Sequence, residues 1–338
     1  MNNVLPTIKE IAKRLKVSVS TVSRALNDHP RIGEGTKMRV RQLASELNYE
    51  PNAKAISFRG RKSFVIGVVL PYIREEFFSE AIDGIETAAI MHDYTILFGQ
   101  SHDNPEREKS VVSAMKKQRV DGLIISLSKL TTNYEHLQAL EKYNIPVVYF
   151  DRVPPFEKAN KVYCNLYQGT VEMVGWLISK GYKKIALING PQKLSSSKER
   201  LNGYIEGLSK KKIRVDMQLV ERTDFSKEST HEAMQKLLAL KHPPTAIISF
   251  NDYVHMDAVQ YAVQQKINVN KDIVFVSYAN LPITNYTAFP PLVSIEQYPY
   301  KQGERAMEII MQIMSNKLED KDSEKYYVDE LPATLIMH

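Results

Sequence analysis

The chain of 338 residues contains a single cysteine, Cys164, and no long apolar segment. One cysteine excludes a disulfide bond within the chain and is typical of a protein from a reducing cytoplasm. No stretch approaches the roughly 18 apolar residues that a membrane-spanning helix needs. Residues 1–9 lack the apolar core of a secretory signal peptide. We therefore expect a cytoplasmic protein that does not bind a membrane.

Motifs of several enzyme classes are also missing. The sequence has no P-loop and no Gly-x-Ser-x-Gly elbow, and its eight histidines include no His-x-x-x-His pair for a metal. Gly33 and Gly35 follow no strand and lack the third glycine of a dinucleotide-binding loop. Asp151 and Asp252 would allow a carboxylate pair, but a polar ligand site explains them with fewer assumptions. We therefore expect no enzyme, no cofactor and no bound metal.

Positive charge is concentrated in residues 1–62, which hold 13 Lys and Arg against 5 Asp and Glu, a net charge of +8. The rest of the chain carries −2, because the whole chain carries +6. A compact basic module on a near-neutral body is typical of a protein that binds nucleic acid. The alternative, a basic tail, conflicts with the helical pattern of the same residues.

Three short helices are predicted in the basic module. Their apolar stripes, spaced by three or four residues, are Ile8, Ile11, Ala12 and Leu15; Val22, Ala25 and Leu26; and Val40, Leu43, Ala44 and Leu47. Thr7 and Glu10 form a capping-box pattern before the first helix, and Ser18 is placed to cap the second. Only a few residues separate these two helices, which favours a helix-turn-helix.

The outward face of the second helix carries Val19, Ser20, Ser23 and Arg24. Short side chains let a helix backbone approach DNA, and an arginine can bind O6 and N7 of guanine. The alternative is a solvated face that contacts nothing. Such a face usually carries Glu and Lys, and residues 18–27 have neither. The pattern therefore favours a recognition helix.

Two long motifs in this module resemble a known family. TIKEIA at residues 7–12 and VSVSTVSRALN at residues 17–27 closely resemble the start of the lac repressor (LacI/GalR) family of transcription regulators. The segment YEPNA at residues 49–53 resembles the family's entry into its hinge, and the resemblance continues from residue 66 to the end of the chain. It implies a sequence-specific DNA-binding regulator that is controlled by a sugar or another metabolite, and we expect this regulator to be a repressor.

The resemblance also implies individual contacts with DNA. Val19, Ser20 and Arg24 would read base edges in the major groove. The residues expected to bind phosphates are Thr7, Ser18, Thr21, Ser23 and Asn27.

In the predicted hinge, residues 51–62, Asn52 and Ala55 would contact DNA, and residues 52–59 would form a helix only on DNA. Phe58 stands where the family has a leucine that enters the minor groove, and an aromatic wedge can unstack bases in the same way.

From residue 64 onward, apolar runs alternate with helical stretches. The runs are residues 65–70, 95–98, 122–126, 147–150, 184–188, 246–250 and 273–277, and the helical stretches include 78–92, 169–180, 200–210 and 231–240. This alternation favours parallel sheets covered by helices on both faces. We therefore expect an all-α helix-turn-helix domain at residues 1–50, the hinge, and an α/β domain at 63–338.

The number of strands suggests two sheets, as in the two-lobed periplasmic-binding-protein fold that the family carries. The stretch 151–161, with Pro154-Pro155, and the region of Pro290-Pro291 are the predicted crossings between the lobes. The predicted N-lobe is residues 63–160 and 292–325, and the predicted C-lobe is 161–291 and 326–338. We expect this domain to bind the effector and to form a homodimer, whose two-fold symmetry matches a near-palindromic operator.

Polar and aromatic residues at strand ends are candidates for an effector site in the cleft between the lobes. From their positions we select Phe77, Phe78, Asp151, Ser196, Ser197, Asn251 and Asp252. The family's effector-binding arginine aligns with Arg200 in the run Arg-x-x-Gly-Tyr, and Phe225 aligns with an aromatic that stacks on the effector. Ala279 stands where the family often has an acid, and Asn280 is the nearby substitute. Each position alone would also suit an ordinary loop residue.

Two rival functions remain at this point. A periplasmic solute-binding protein without DNA function would share the two-lobed body, but it conflicts with the basic helical module. A DNA-binding protein without an effector would leave the large body without a role.

Overall fold

The computed structural model describes residues 6–49, 62–316 and 325–338. The chain divides into two compact units, Met1–Ser63 and Phe64–His338. The hinge residues Asn52, Ala55 and Phe58, for which we predicted DNA contacts, lie outside the described residues. Within the described ranges, no helix combines the length and the apolar character that a membrane span requires.

The first unit is built from α1 (Ile8–Leu15), α2 (Val19–Leu26) and α3 (Glu34–Glu46). Their apolar faces meet in one small core, whose buried members are Ile11, Ala12, Val22, Ala25, Val40 and Ala44. The predicted caps are present: Thr7 Oγ1 accepts from the Glu10 amide at 3.3 Å, and Ser18 Oγ accepts from the Thr21 amide at 3.0 Å. Lys16 ends α1 in the left-handed region, with φ 53°, and so turns the chain directly into α2.

The second unit alternates strands and helices, as predicted. In chain order its elements are β1 (Val65–Leu70), α4 (Glu76–Ile90), β2 (Thr95–Gln100), α5 (Pro105–Lys117), β3 (Gly122–Ile125), α6 (Glu135–Gln138), β4 (Val147–Phe150), β5 (Asn160–Cys164), α7 (Leu166–Ser179), β6 (Ile185–Asn189), α8 (Ser195–Lys210), β7 (Val220–Arg222), α9 (Lys227–Leu238), β8 (Ala246–Ser249), α10 (Asp252–Gln264), β9 (Val274–Ala279), β10 (Val293–Glu296), α11 (Pro299–Asn316), β11 (Val328–Leu331) and β12 (Thr334–Met337).

These strands form two sheets. The first has the order β11-β5-β4-β3-β1-β2 and is parallel throughout. The second has the order β12-β10-β9-β8-β6-β7 and is parallel except for the antiparallel pair of β10 and β12. We call the first sheet with its helices the first lobe, and the second sheet with its helices the second lobe.

The lobe boundaries differ from those predicted. The stretch with Pro154-Pro155 does not cross between lobes but returns the chain to β5, which pairs with β4 in the first sheet. The chain crosses after β5, crosses back after β10, and crosses a third time between β11 and β12. The predicted boundaries therefore put β10 and β11 in the wrong lobes and cut through β5. A proline pair marks a loop, but it does not tell which sheet the next strand joins.

Two glycines bring α4 and α11 into backbone contact on the first lobe. A Cβ at Gly84 would lie 2.0 Å from the carbonyl oxygen of Tyr300, and a Cβ at Gly303 would lie 2.0 Å from that of Ala81. Only glycine allows so close an approach. The contact fixes α4, whose first turn carries Phe77 and Phe78 to the carboxyl edge of the sheet.

Candidate functional site

The outward face of α2 is exposed as the sequence predicted. Val22 and Ala25 are fully buried, so the opposite side of the helix presents Val19, Ser20 and Arg24 to solvent. Val19 is 38% exposed, which is unusual for an aliphatic side chain in so small a unit. An exposed apolar contact and two polar side chains in one row suit the mixed edge of a base pair.

Three cations of the first unit are paired with carboxylates of the same unit, whereas Arg24 pairs with none that the structure describes. Arg14 pairs with Glu10 at 2.5 Å, Arg41 pairs with Asp28 at 2.9 Å, and the buried Lys37 lies 3.0 Å from the same Asp28. Among the residues that the structure describes, no carboxylate pairs with Arg24. Its guanidinium is therefore available to a partner outside the chain.

The residues predicted to contact phosphates lie at the start of α1 and along α2. Ser18 caps α2 and also exchanges hydrogen bonds with the hydroxyls of Ser20 at 2.7 Å and Thr21 at 2.8 Å. Asn27 ends α2, and its side-chain amide donates to the carbonyl of Ser23 at 2.8 Å. The amino ends of helices carry a partial positive charge that suits phosphate.

A second site lies between the two lobes, at the carboxyl ends of their strands. It is lined by Glu75, Phe77, Phe78, Asp151, Arg152, Ser196, Arg200, Phe250, Asn251, Tyr253, Ala279, Leu281 and Gln297. The cavity measures about 50 Å³. A water molecule needs about 10–15 Å³ by this measure, so the lobes are closed around a space of a few waters. A larger ligand requires them to part.

Arg200 is the most unusual side chain of the cavity. It is 3% exposed, and its guanidinium carbon lies 3.9 Å from the centre of the Phe250 ring and 4.3 Å from that of Tyr278. Its Nη2 reaches Gln297 Oε1 only at 3.5 Å, and its Nε and Nη1 have no hydrogen-bond partner among the described residues. Burial lowers the pKa of Arg200, yet an arginine stays charged in a protein. A buried cation with unpaired donors indicates a place for ligand oxygens.

The first lobe supplies acids to the same cavity. Burial raises the pKa of Asp151, and the nearby guanidinium groups of Arg152 and Arg200 oppose that shift. Burial likewise raises the pKa of Glu75. Arg152 is held by Asp103 at 2.5 Å and lies 3.9 Å from Asp151. The lining thus carries two carboxyl groups and two guanidinium groups, an even balance of charge.

Asp252, a predicted effector contact, has a different place in the structure. It is fully buried in the first turn of α10, where its carboxylate accepts from Ser277 Oγ and from the Leu281 amide, the latter at 2.7 Å. Burial raises the pKa of this carboxyl group to about 6. Asp252 braces the end of β9 and does not line the cavity, because the first turn of its helix points into the protein.

Three further predicted residues lie behind or beside the lining. Ser197 is 1% exposed, one position beyond Ser196, on the inner side of α8. The side-chain amide of Asn280 donates from Nδ2 to Glu296 Oε2 at 2.7 Å. The Phe225 ring packs against Phe250 at 4.7 Å, so it supports the lining rather than belonging to it.

Six lining residues besides Ala279 were not selected from the sequence: Glu75, Arg152, Phe250, Tyr253, Leu281 and Gln297. Phe250 and Gln297 directly follow β8 and β10, so the rule that selected Asp151 after β4 applies to them equally. In the described parts of the chain, no group of three or more His, Cys, Asp or Glu side chains is arranged to hold a metal ion.

Each of the two units matches the model of a known protein family. Residues 7–52 match the model described as bacterial regulatory proteins, lacI family, and residues 63–334 match the periplasmic binding proteins and sugar binding domain of the LacI family. The chain belongs to the lacI family of bacterial regulatory proteins. Like the family, it is a DNA-binding transcription regulator whose body binds a small-molecule effector.

Individual lacI-family relatives match over nearly the whole chain. The HTH-type transcriptional repressor CytR of Escherichia coli (strain K12) is 31% identical over 92% of this chain and 90% of its own length. The repressor PurR of Aliivibrio salmonicida is 30% identical over 98% of both chains. The lac repressor dimer, solved with operator and the anti-inducer ONPF, is similar at a TM-score of 0.84, with 25% identity over 98% of both chains.

Proposed function

We propose that α2 reads the operator through Val19, Ser20 and Arg24. Arg24 would bind a guanine in the major groove, and the phosphate contacts would come from Thr7, Ser18, Thr21, Ser23 and Asn27. The guanidinium of Arg24 is exposed and pairs with no carboxylate among the described residues, which supports this assignment. We propose that the protein acts in the cytoplasm, where operator DNA is found. We also propose that it represses transcription, since CytR and PurR are both described as repressors.

We propose further that the effector is a neutral, polyhydroxylated molecule with a ring, such as a sugar or a nucleoside. The observation that carries this proposal is the buried Arg200, whose Nε and Nη1 bind no acceptor in the described parts of the chain, while Asp151 and Glu75 lie in the same cavity. A ligand must offer acceptors to the arginine and donors to the carboxyl groups, and hydroxyl groups do both.

The balance of charge and the aromatic lining support the same class. A fully anionic ligand would meet Asp151 and Glu75, and a cation would meet Arg152 and Arg200, so either would leave one pair of like charges buried together. Phe77 and the neighbouring Phe78 offer apolar surface for a ligand ring.

We propose that this cavity binds its ligand without catalysing a reaction. A carboxylate pair for acid–base chemistry would need two carboxyl groups facing the same ligand atoms. Of the pair considered from the sequence, Asp151 lines the cavity, but both oxygens of Asp252 are used by Ser277 and Leu281.

We propose a two-fold dimer on a near-palindromic operator. The end of α4 exposes Ile90 (66%) and Met91 (80%), and the edge strand β2 exposes Leu97 (38%) and Phe98 (39%). Exposed apolar side chains such as these are of the kind that subunits cover when they associate. The similar lac repressor is described as a dimer bound to operator, which supports this assembly.

The effector class is tested by thermal unfolding of the full chain with cellobiose, ribose, cytidine and adenosine, beside glucose 6-phosphate and glutamate. A ligand at about 100 times its Kd stabilises the folded state by about 2.7 kcal/mol, which raises the Tm by several degrees. We expect one of the neutral compounds to do so. A rise with the charged compounds only would contradict the proposed class. Titrating the active compound into the operator complex then shows whether it releases or recruits the protein.

A further inference from the structure

One side chain of the first lobe reaches across the cleft. Lys129, in the loop after β3, donates from Nζ to the carbonyl oxygen of Asp224 at 2.9 Å. The same Nζ lies 5.3 Å from the centre of the Phe225 ring, within the range of a cation–π contact. Asp224 and Phe225 follow β7 in the second lobe, so the contact joins the two lobes directly.

The first-lobe end of this contact is connected to the cavity. The Lys129 amide donates to Asp103 Oδ1 at 3.0 Å, and the same oxygen accepts from Arg152, a lining residue, at 2.5 Å. The loop is also anchored by the fully buried Glu108, which accepts from the Ser128 amide at 2.6 Å. Lys129 is therefore held on a rigid part of the first lobe.

The second-lobe end is equally well defined. Phe225 has φ 78°, a left-handed conformation that costs an aromatic residue energy, and its amide donates to Thr223 Oγ1 at 3.0 Å. The Phe225 ring lies 4.7 Å from that of Phe250, whose face carries Arg200. A strained turn thus presents both partners of Lys129 beside the wall of the cavity.

We propose that Lys129 is a positioning residue that closes the effector cleft. The inference rests on the proposed effector site. Because the space between the lobes has room for only a few waters in this structure, a larger ligand gains room when the lobes part, and the Lys129 contact would then release and form again around it. The apparent affinity of a ligand falls with the fraction of the protein in the binding-competent state. Lys129 would thereby set the strength and the duration of effector binding without touching the effector.

Two backbone amides outside these loops also form hydrogen bonds between the lobes, so their exchange can be used to measure the closure. The Glu76 amide of the first lobe donates to Tyr253 Oη of the second at 3.2 Å, and the Ile283 amide of the second lobe donates to Glu76 Oε2 at 3.1 Å. Both amides lose these partners when the lobes part. Neither amide belongs to the loops that Lys129 joins, so a change in their exchange measures the opening and not a local disturbance.

The test is hydrogen–deuterium exchange at these two amides in the full chain without ligand, which keeps it independent of the effector's identity. Lys129→Met keeps the apolar stem and removes the charge, Lys129→Arg keeps charge and donor, and Lys142→Met removes an exposed lysine of the same lobe as a matched control. We expect Lys129→Met to exchange about fivefold faster, since one such contact is worth about 1 kcal/mol. The other two variants should match the wild type.

Unchanged exchange at both amides in Lys129→Met would overturn the proposal. So would faster exchange throughout the second lobe, including β8, since Lys129 would then stabilise the fold and not the closure. An arginine variant that exchanged as fast as Lys129→Met would show that charge and donor do not hold the cleft shut.

Discussion

Two arginines, Arg24 on α2 and Arg200 in the cavity, lie at the centre of the two proposed recognition sites in opposite surroundings. Arg24 is exposed and has no carboxylate partner among the described residues. Its charge is therefore solvated by water in the protein without DNA. Arg200 is 3% exposed and stacked against Phe250 and Tyr278, and two of its nitrogens have no partner within residues 6–49, 62–316 and 325–338. An exposed cation can exchange partners at little cost, whereas a buried cation with unpaired donors favours one particular ligand.

Of the two arginines, Arg200 in the cavity should give the larger loss of ligand affinity when it is replaced. Arg200→Met should weaken binding of the compound identified by thermal unfolding roughly 30-fold or more, because a buried charged partner is worth about 2–5 kcal/mol. Isothermal titration measures it, and operator binding should persist. Arg214→Met, at an exposed arginine of the same lobe, is the control. Unchanged affinity in Arg200→Met would remove Arg200 from the site.

Replacing Arg24 on the exposed face of α2 should weaken operator binding by a smaller amount, and mainly at one base pair. Arg24→Ala should cost about 1–3 kcal/mol at one base pair of each half-site, because the bidentate contact to guanine is lost. Competition among operator variants measures the cost at each position. Arg14→Ala removes the same charge from a residue already paired with Glu10 and should not change base preference. Equal weakening on all sequences would make Arg24 a phosphate contact.

Asp252 is buried like Arg200, but each of its carboxylate oxygens accepts a hydrogen bond. Its folded-state pKa of about 6 lies above the ordinary value, so the folded protein binds the proton more tightly than the unfolded chain does. Relative to Asp252→Asn, the wild type should lose about 1–3 kcal/mol of unfolding free energy as the pH rises from 4 to 7, through the folded-state pKa, and little more above that. Urea unfolding of both proteins across this range measures it. A difference independent of pH would contradict the assignment.

The smallest effect is expected at the cap of α2. Ser18→Ala should cost about 1 kcal/mol of helix stability, because the Thr21 amide loses its acceptor. Amide exchange in α2 should rise about fivefold. Ser45→Ala, at an exposed position inside α3, should not change the amide exchange in α2. If Ser18→Ala exchanged no faster than the wild type, the cap would not stabilise the helix.

Local patterns in the sequence predicted the elements well and the crossings poorly. The apolar runs located β1 and β4 to the residue, but predicted helices began two to five residues late. The first turn of α8, for example, holds Ser195, Ser196 and Ser197, which carry no apolar signal. The place of β5 in the first sheet depends on pairing with β4 and β11, which no local pattern encodes.

The cavity shows the same limit. Phe77, Asp151 and Asn251 could be selected because each follows a strand or opens a helix at the sheet edge. Arg152 depends on Asp103, 49 positions away, to be held in the cavity. Nor could the sequence show that Asp252 points inward while the adjacent Asn251 lines the cavity.

The central claim, an effector-controlled reader of one operator, is tested most directly by selecting genomic DNA fragments with the purified full chain at physiological salt. Arg24→Ala would be run in parallel, and both selections repeated with the active compound. We expect the wild type to enrich one near-palindromic site, Arg24→Ala not to enrich it, and the compound to change the enrichment. Equal enrichment by both proteins, with no response to the compound, would contradict the central claim.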